Sequence, residues 1–183
     1  MQPAIAAVEF NSISRGYRTL DEMIKEATIE VLEATVICPG KYTIVIGGDV
    51  GSVTSSYHRG VDVGEQYVVD QLLLSYADEQ LIPAINATNE VGEIEALGIA
   101  EFFSVTSGIL SADAACKAAE VTLIEVRLAR GMAGKSFFTL CGTLESVEAA
   151  IAAAEEIAAR NSGFLLRTDI IPRPHKDLIK HVL

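Results

Sequence analysis

Basic residues are scarce in this chain. It has 14 lysines and arginines against 25 aspartates and glutamates, a formal net charge of −11. Nucleic-acid binding needs clustered cations to neutralise phosphates, so that class of partner is excluded, and the acidic balance reads as a solvated surface. Long apolar runs are also missing. Tyr67 to Leu74 is broken by Asp70, far short of the roughly 20 residues that span a membrane. No basic segment precedes an apolar run at the N-terminus, so no secretory signal is read and a cytoplasmic location is expected. The three cysteines, Cys38, Cys116 and Cys141, are odd in number and form no Cys-x-x-Cys pair, which argues against a disulfide framework. His58, His175 and His181 are scattered and suggest no zinc site within one chain. Apolar residues, by contrast, make up 50% of the chain, and mean hydropathy is +0.33. Small domains bury a limited fraction of their surface, so this excess points to subunit interfaces.

The chain repeats itself. Ile5 to Phe10 resembles Leu97 to Phe102, at an offset of 92 positions that sets Glu9 against Glu101. The same offset pairs Ser12 with Ser104, Gly16 with Gly108, Asp21 with Asp113, Lys25 with Lys117, and Glu33 with Glu125. Two residues are then inserted in the second copy. The offset becomes 94, pairing Gly40-Lys41 with Gly134-Lys135, Gly48 with Gly142, and Ser52-Val53 with Ser146-Val147. Self-similarity of this kind marks a duplicated structural unit. Two domains are expected, 1–89 and 90–183, with the polar stretch Asn86 to Glu95 as linker.

Each copy has a readable element order. Ile5 to Phe10 is a short apolar strand, and Leu20, Met23, Ile24 and Ala27 share one helical face. Ile29 to Ile37 and Tyr42 to Ile46 are rich in β-branched residues and read as strands. A helix follows Gly47-Gly48-Asp49, and Val68 to Leu74, like Phe164 to Ile171, is the last strand. In the second copy Val147, Ile151, Ala154 and Ile157 mark the stripe of that helix. The order β-α-β-β-α-β is that of a ferredoxin-like or related split unit. The fold class is therefore α/β (α+β), as two tandem units.

Signs of catalysis are thin. Gly134-Lys135-Ser136 resembles the end of a phosphate-binding loop, but Ala129 stands where that pattern needs glycine, and a strand is expected to follow. No paired carboxylates, His–Cys pair or Ser–His–Asp set appears. Glu9 and Glu101 recur at one strand position, which suggests a shared structural role. The chain is not expected to be an enzyme. An enzyme or small-molecule sensor on a ferredoxin-like repeat stands as the contrasting class.

Several motifs in order resemble the bacterial microcompartment shell domain. They are Asp-x-x-x-Lys in the first helix (Asp21 to Lys25, Asp113 to Lys117), the Gly-Lys loop before the third strand, Gly48 to Gly51, and Ile171-Pro-Arg-Pro-His175. The resemblance covers essentially the whole chain, twice over. Its tandem form resembles the trimer-forming shell proteins, and Ile37 to Lys41 is most similar to the tandem type of the propanediol-utilisation compartment. The first copy departs from the pattern at Leu81-Ile82-Pro83-Ala84, which lacks Arg-Pro-His.

The resemblance implies a homotrimer whose six domains mimic a hexamer, tiling with other shell proteins around enclosed enzymes. It also implies that the strand-to-strand loops surround a central pore: Cys38, Pro39, Gly40 and Lys41 in the first copy, and Arg130, Gly131, Met132, Ala133, Gly134 and Lys135 in the second. Lys25 and Lys117 would lie at the tile edge, their stems buried against a neighbouring disc.

Cys38 is the chemical feature that is not duplicated. Cys116 aligns with Ile24 and Cys141 with Gly47, and both read as small buried hydrophobes. Cys38 faces Arg130 or Met132, depending on where the insertion falls. Three such thiols converging on an axis suit an iron–sulfur cluster, since thiolate is its natural ligand. The resemblance adds weight to a [4Fe–4S] cluster held by three copies of Cys38. Pro39 stiffens the loop, and the N–H groups of Gly40 and Lys41 with the Lys41 cation are available to offset the cluster's charge. Electron transfer across the shell, or cluster delivery to enclosed redox enzymes, is the implied role. The alternative is a metabolite-conducting pore in which Cys38 is a bare thiol.

Overall fold

Residues 3–161 and 164–183 are described by a computed structural model. The first copy comprises β1 (Ala4–Phe10), α1 (Ile13–Glu26), β2 (Glu30–Ile37), β3 (Lys41–Gly48), α2 (Val50–Gly64) and β4 (Val68–Leu74). The short helix α3 (Leu81–Ile85) follows. The second comprises β5 (Ala96–Phe102), α4 (Val105–Ala118), β6 (Thr122–Leu128), β7 (Ser136–Gly142), α5 (Leu144–Asn161) and β8 (Leu165–Pro172), with α6 (Lys176–Val182) at the C-terminus.

Each copy folds into an antiparallel four-stranded sheet, ordered β2-β3-β1-β4 in the first and β6-β7-β5-β8 in the second. The sequence offsets reappear as register. Glu9 pairs with Thr43 and Glu101 with Phe137, and the bulges between Glu9 and Phe10 and between Glu101 and Phe102 match. The β2–β3 ladder closes at Ile37 and Lys41, whereas β6–β7 closes one pair earlier, at Leu128 and Ser136. The insertion therefore lies in the hairpin tip, which runs Cys38 to Gly40 in one copy and Ala129 to Lys135 in the other.

Contacts divide the chain into two compact units. One is Met1–Glu79 together with Ala129–Gly134, and the other is Gln80–Leu128 with Lys135–Leu183. In the first, alternate residues of β1 (Ala4, Ala6, Val8, Phe10) and β3 (Tyr42, Ile44, Ile46) form a core with Met23 of α1 and Val53 of α2. Helix α1 starts at Ser12, whose side chain accepts from the Arg15 N–H, and α2 at Asp49, which accepts from the Ser52 N–H. Gly16 lies so close to β3 that a Cβ there would sit 2.4 Å from Tyr42. Its repeat partner Gly108 would meet the Ser136 hydroxyl at 2.1 Å. The glycine recurs because the same helix–strand approach recurs.

Two expectations need correction. Ile24 is 51% exposed; the buried face of α1 is Gly16, Thr19 and Met23, with Leu20 partly covered. The buried strip of α1 is narrower than the apolar pattern suggested. The end of the first copy is also displaced from where its sequence placed it. The Arg173 N–H donates to the Glu95 carbonyl, and its counterpart is the Ala77 N–H on the Pro3 carbonyl. Leu81 to Ala84 is instead part of α3, with Leu81 and Ala84 buried within the second unit, where Gln80 and Asn89 hydrogen-bond Leu123. α3 is thus absorbed into the second unit, although the sequence reading ran the first domain to residue 89.

In the second unit the face of the sheet bearing Leu97, Ile124 and Cys141 is covered by Ile94, Val91 and the α6 residues Ile179 and Val182. No described helix is long and apolar enough to cross a membrane.

Candidate functional site

The thiols fall into three environments. Cys141 is 3% exposed beneath α6, and burial pushes its thiol pKa up. Cys116 is half-buried on α4, not fully buried as its alignment suggested, because its repeat position is the exposed Ile24. Cys38 is exposed at the tip of the β2–β3 hairpin. The tip is a tight turn: the Gly40 N–H donates to the Ile37 carbonyl at 3.0 Å, across a cis Cys38–Pro39 peptide. Gly40 sits at φ +81°, in the left-handed region that favours glycine.

The charges around the hairpin are spoken for. Lys41 Nζ is 3.5 Å from Glu9 Oε2, and the Glu9 side chain is buried on β1. The register explains the pair. Glu9 lies opposite Thr43, and Lys41 is the diagonal neighbour on the same face. In the second copy the ladder ends a residue sooner. Lys135 is released and its ammonium lies 5.9 Å from the centre of the Phe103 ring. Of the groups expected to offset a cluster's charge, the Gly40 N–H is therefore used within the turn, and the Lys41 cation is engaged by Glu9.

The second hairpin tip lies against the first. A Cβ on Gly134 would be 2.7 Å from the Cys38 carbonyl oxygen, and Arg130 Nη2 is 2.7 Å from Glu33 Oε1 on β2. Ala129 and Gly134 are buried at the ends of that tip; Arg130, Gly131 and Ala133 are exposed, and Met132 and Lys135 are half-buried. Two ordered signals thus converge from distant sequence, and no local motif announces it. Lys25 and Lys117 each pair with the carboxylate one turn earlier, Asp21 at 2.5 Å and Asp113 at 2.6 Å. Asp21 raises the Lys25 pKa.

Within one chain, no group of three potential metal ligands exists among the described residues. An exposed thiol on a braced turn fits an iron–sulfur cluster only as one ligand of several, the others coming from further copies of the chain.

These two four-stranded units, each carrying its hairpin loop, are BMC domains: that family's model matches residues 4–77 and 96–174. The chain belongs to the BMC-domain family, whose members are structural proteins of bacterial microcompartment shells, and it is a shell protein of this kind. Over 183 residues it is 36% identical to the bacterial microcompartment shell protein PduT of Citrobacter freundii, covering 100% of this chain and 99% of that one. A crystal structure of a microcompartment protein from Desulfitobacterium hafniense superposes with a TM-score of 0.91 at 41% identity, over 98% of this chain and 99% of that one. The fused permuted hexameric shell protein of the RMM microcompartment shares the fold, with a TM-score of 0.62 at 20% identity over 86% and 84% of the two chains.

Proposed function

We propose that three copies of this chain form a shell tile with a central pore, and that three Cys38 thiolates hold a [4Fe–4S] cluster there. The observation that carries this reading is the contrast among the thiols. Cys141 is buried and Cys116 half-buried, while Cys38 alone of the three is exposed, on a braced loop tip. Bound there, the cluster would supply one-electron chemistry. Cys38 holds it, Pro39 and Gly40 fix the turn, and Lys41 ties the loop base to Glu9. The working role is electron transfer across the shell or cluster delivery to enclosed redox enzymes, in company with other shell proteins. Lys25 and Lys117 serve as edge contacts between tiles.

A metabolite-conducting pore without a cluster is the second reading. It is favoured by the engagement of Lys41 with Glu9 and of Arg130 with Glu33, which leaves less positive charge to offset a cluster.

Iron, acid-labile sulfide, absorbance and EPR spectra on protein purified without oxygen separate the two. A cluster gives about four irons per trimer, lost in Cys38→Ser with the trimer intact. No iron in either protein, with trimers intact, leaves the conducting pore.

A further inference from the structure

We propose that the Ala129–Gly134 tip of the second copy is the positioning element of the Cys38 turn, with Gly134, Arg130 and Glu33 as positioning residues. The inference rests on reading Cys38 as the working thiol, and it adds the second copy's loop to that site.

Two independent contacts carry it. The first is the backbone approach of Gly134 to the Cys38 carbonyl, where a Cβ would stand 2.7 Å from the oxygen. The atom it would strike is main chain, so no rotamer change relieves the clash. The repeat supplies its own control. Gly40 and Gly134 are counterparts with nearly the same φ, +81° and +84°, yet a Cβ on Gly40 meets nothing within 4 Å. Gly40 needs only its conformation, whereas Gly134 needs its bareness as well. The second contact is the Arg130–Glu33 pair at 2.7 Å. Glu33 sits on β2, the strand that leads into Cys38, and its side chain is 17% exposed. The pair joins the second tip to that strand at a point separate from Gly134. The tip is itself folded, its Met132 N–H donating to the Ala129 carbonyl at 3.2 Å. It belongs to the same compact unit as Cys38.

A ligand that must meet two others at one cluster has to be held within about 0.5 Å of its place, by a supporting shell as much as by its own loop. The Cys38 turn is three residues long and exposed. Its own hydrogen bond fixes the turn's shape, and the second tip fixes where that turn stands.

The test is the rate at which iodoacetamide alkylates Cys38 in the full-length, iron-free protein, followed peptide by peptide, with an unlabelled Cys141 as the sign that the fold is intact. Variants are Gly134→Ala, Glu33→Gln, Arg130→Gln and the charge-swapped Glu33→Arg/Arg130→Glu. Contacting residues couple strongly enough to move the rate about twofold or more. Positioning predicts that Glu33→Gln and Arg130→Gln shift it in the same direction, since each breaks the same pair, and that the swap restores it. Opposite directions would mean a bare charge effect on the thiolate and would overturn the inference, as would wild-type rates in every variant. Should Gly134→Ala fail to fold, the Glu33 and Arg130 variants decide alone.

A second arm loads each protein, without oxygen, with ferric iron, sulfide and a thiol reductant that brings part of the iron to the ferrous state. Wild type that takes up no iron sinks the cluster reading and leaves positioning to the alkylation data. Variants with altered rates but unchanged iron content and EPR spectrum overturn the claim that the second tip serves the cluster.

Discussion

The three cysteines show how far one residue type diverges with its surroundings. Desolvation raises the Cys141 thiol above its ordinary range, so thiolate forms there only at higher pH. Alkylation mapped by mass spectrometry at neutral pH should mark Cys38 first, Cys116 next, and Cys141 only on unfolding. Early modification of Cys141 would contradict its place beneath α6. Lys41 also has a measurable role. Lys41→Met removes the ammonium beside the buried Glu9 carboxylate, and is expected to cost about 1–3 kcal/mol in thermal or urea unfolding. The equivalent Lys135→Met touches an aromatic ring instead, and should cost about 1 kcal/mol or less. In the sequence these two lysines are counterparts, each following a glycine in its loop. They part because the second ladder ends one pair earlier, a fact of pairing that no single residue reports.

At the scale of the element, the helix starts offer a pH test. The Ser52 side chain, and then its backbone N–H, holds the Asp49 carboxyl below the usual carboxylate range. A depressed pKa means the stabilisation is present above the unfolded value, about 3.9, and is lost as pH falls through the folded value. Wild type and Asp49→Ala should therefore differ in melting temperature at neutral pH and converge in acid. A constant gap would rule out the carboxylate as the cause. The close helix–strand approach gives a second test. Gly108→Val crowds the Ser136 hydroxyl, which itself donates to the Ser104 carbonyl at 2.7 Å, and overpacking of this kind costs about 1–3 kcal/mol. Most of this layer was legible beforehand. The order of elements along the chain, the helix after Gly48-Asp49 and the matching of the two copies follow from apolar patterning and one duplicated pattern, whereas the order of strands within each sheet came only with the fold. Ile24 was misread because periodicity shows which residues share a face, not how wide a strip the neighbouring helix covers.

At the scale of the whole molecule, the proposed tile edge is the clearest target. Lys25 and Lys117 are exposed enough to meet a neighbour, with side chains 66% and 43% accessible. Replacing both with Asp should abolish two-dimensional sheets in electron micrographs while leaving the sedimentation of single tiles unchanged; sheets that persist would refute the assignment. The candidate site was half legible. Cys38 stood out as the unduplicated reactive residue, and the two hairpin tips as its setting. The docking of Gly134 on the Cys38 carbonyl and the reach of Arg130 to Glu33 join residues 96 and 97 positions apart, and only the folded chain brings them together.

The unequal hairpins have a consequence for stoichiometry. A ring built from identical single-domain units must display every loop residue once per domain, so any reactive group comes in the full number or not at all. A chain that joins two domains with one short and one long tip displays a given loop residue once for every two domains. Ladders and helices stay under the same geometric demand in both halves, while the tips are free to differ. In the proposed tile, duplication thus halves the copy number of Cys38.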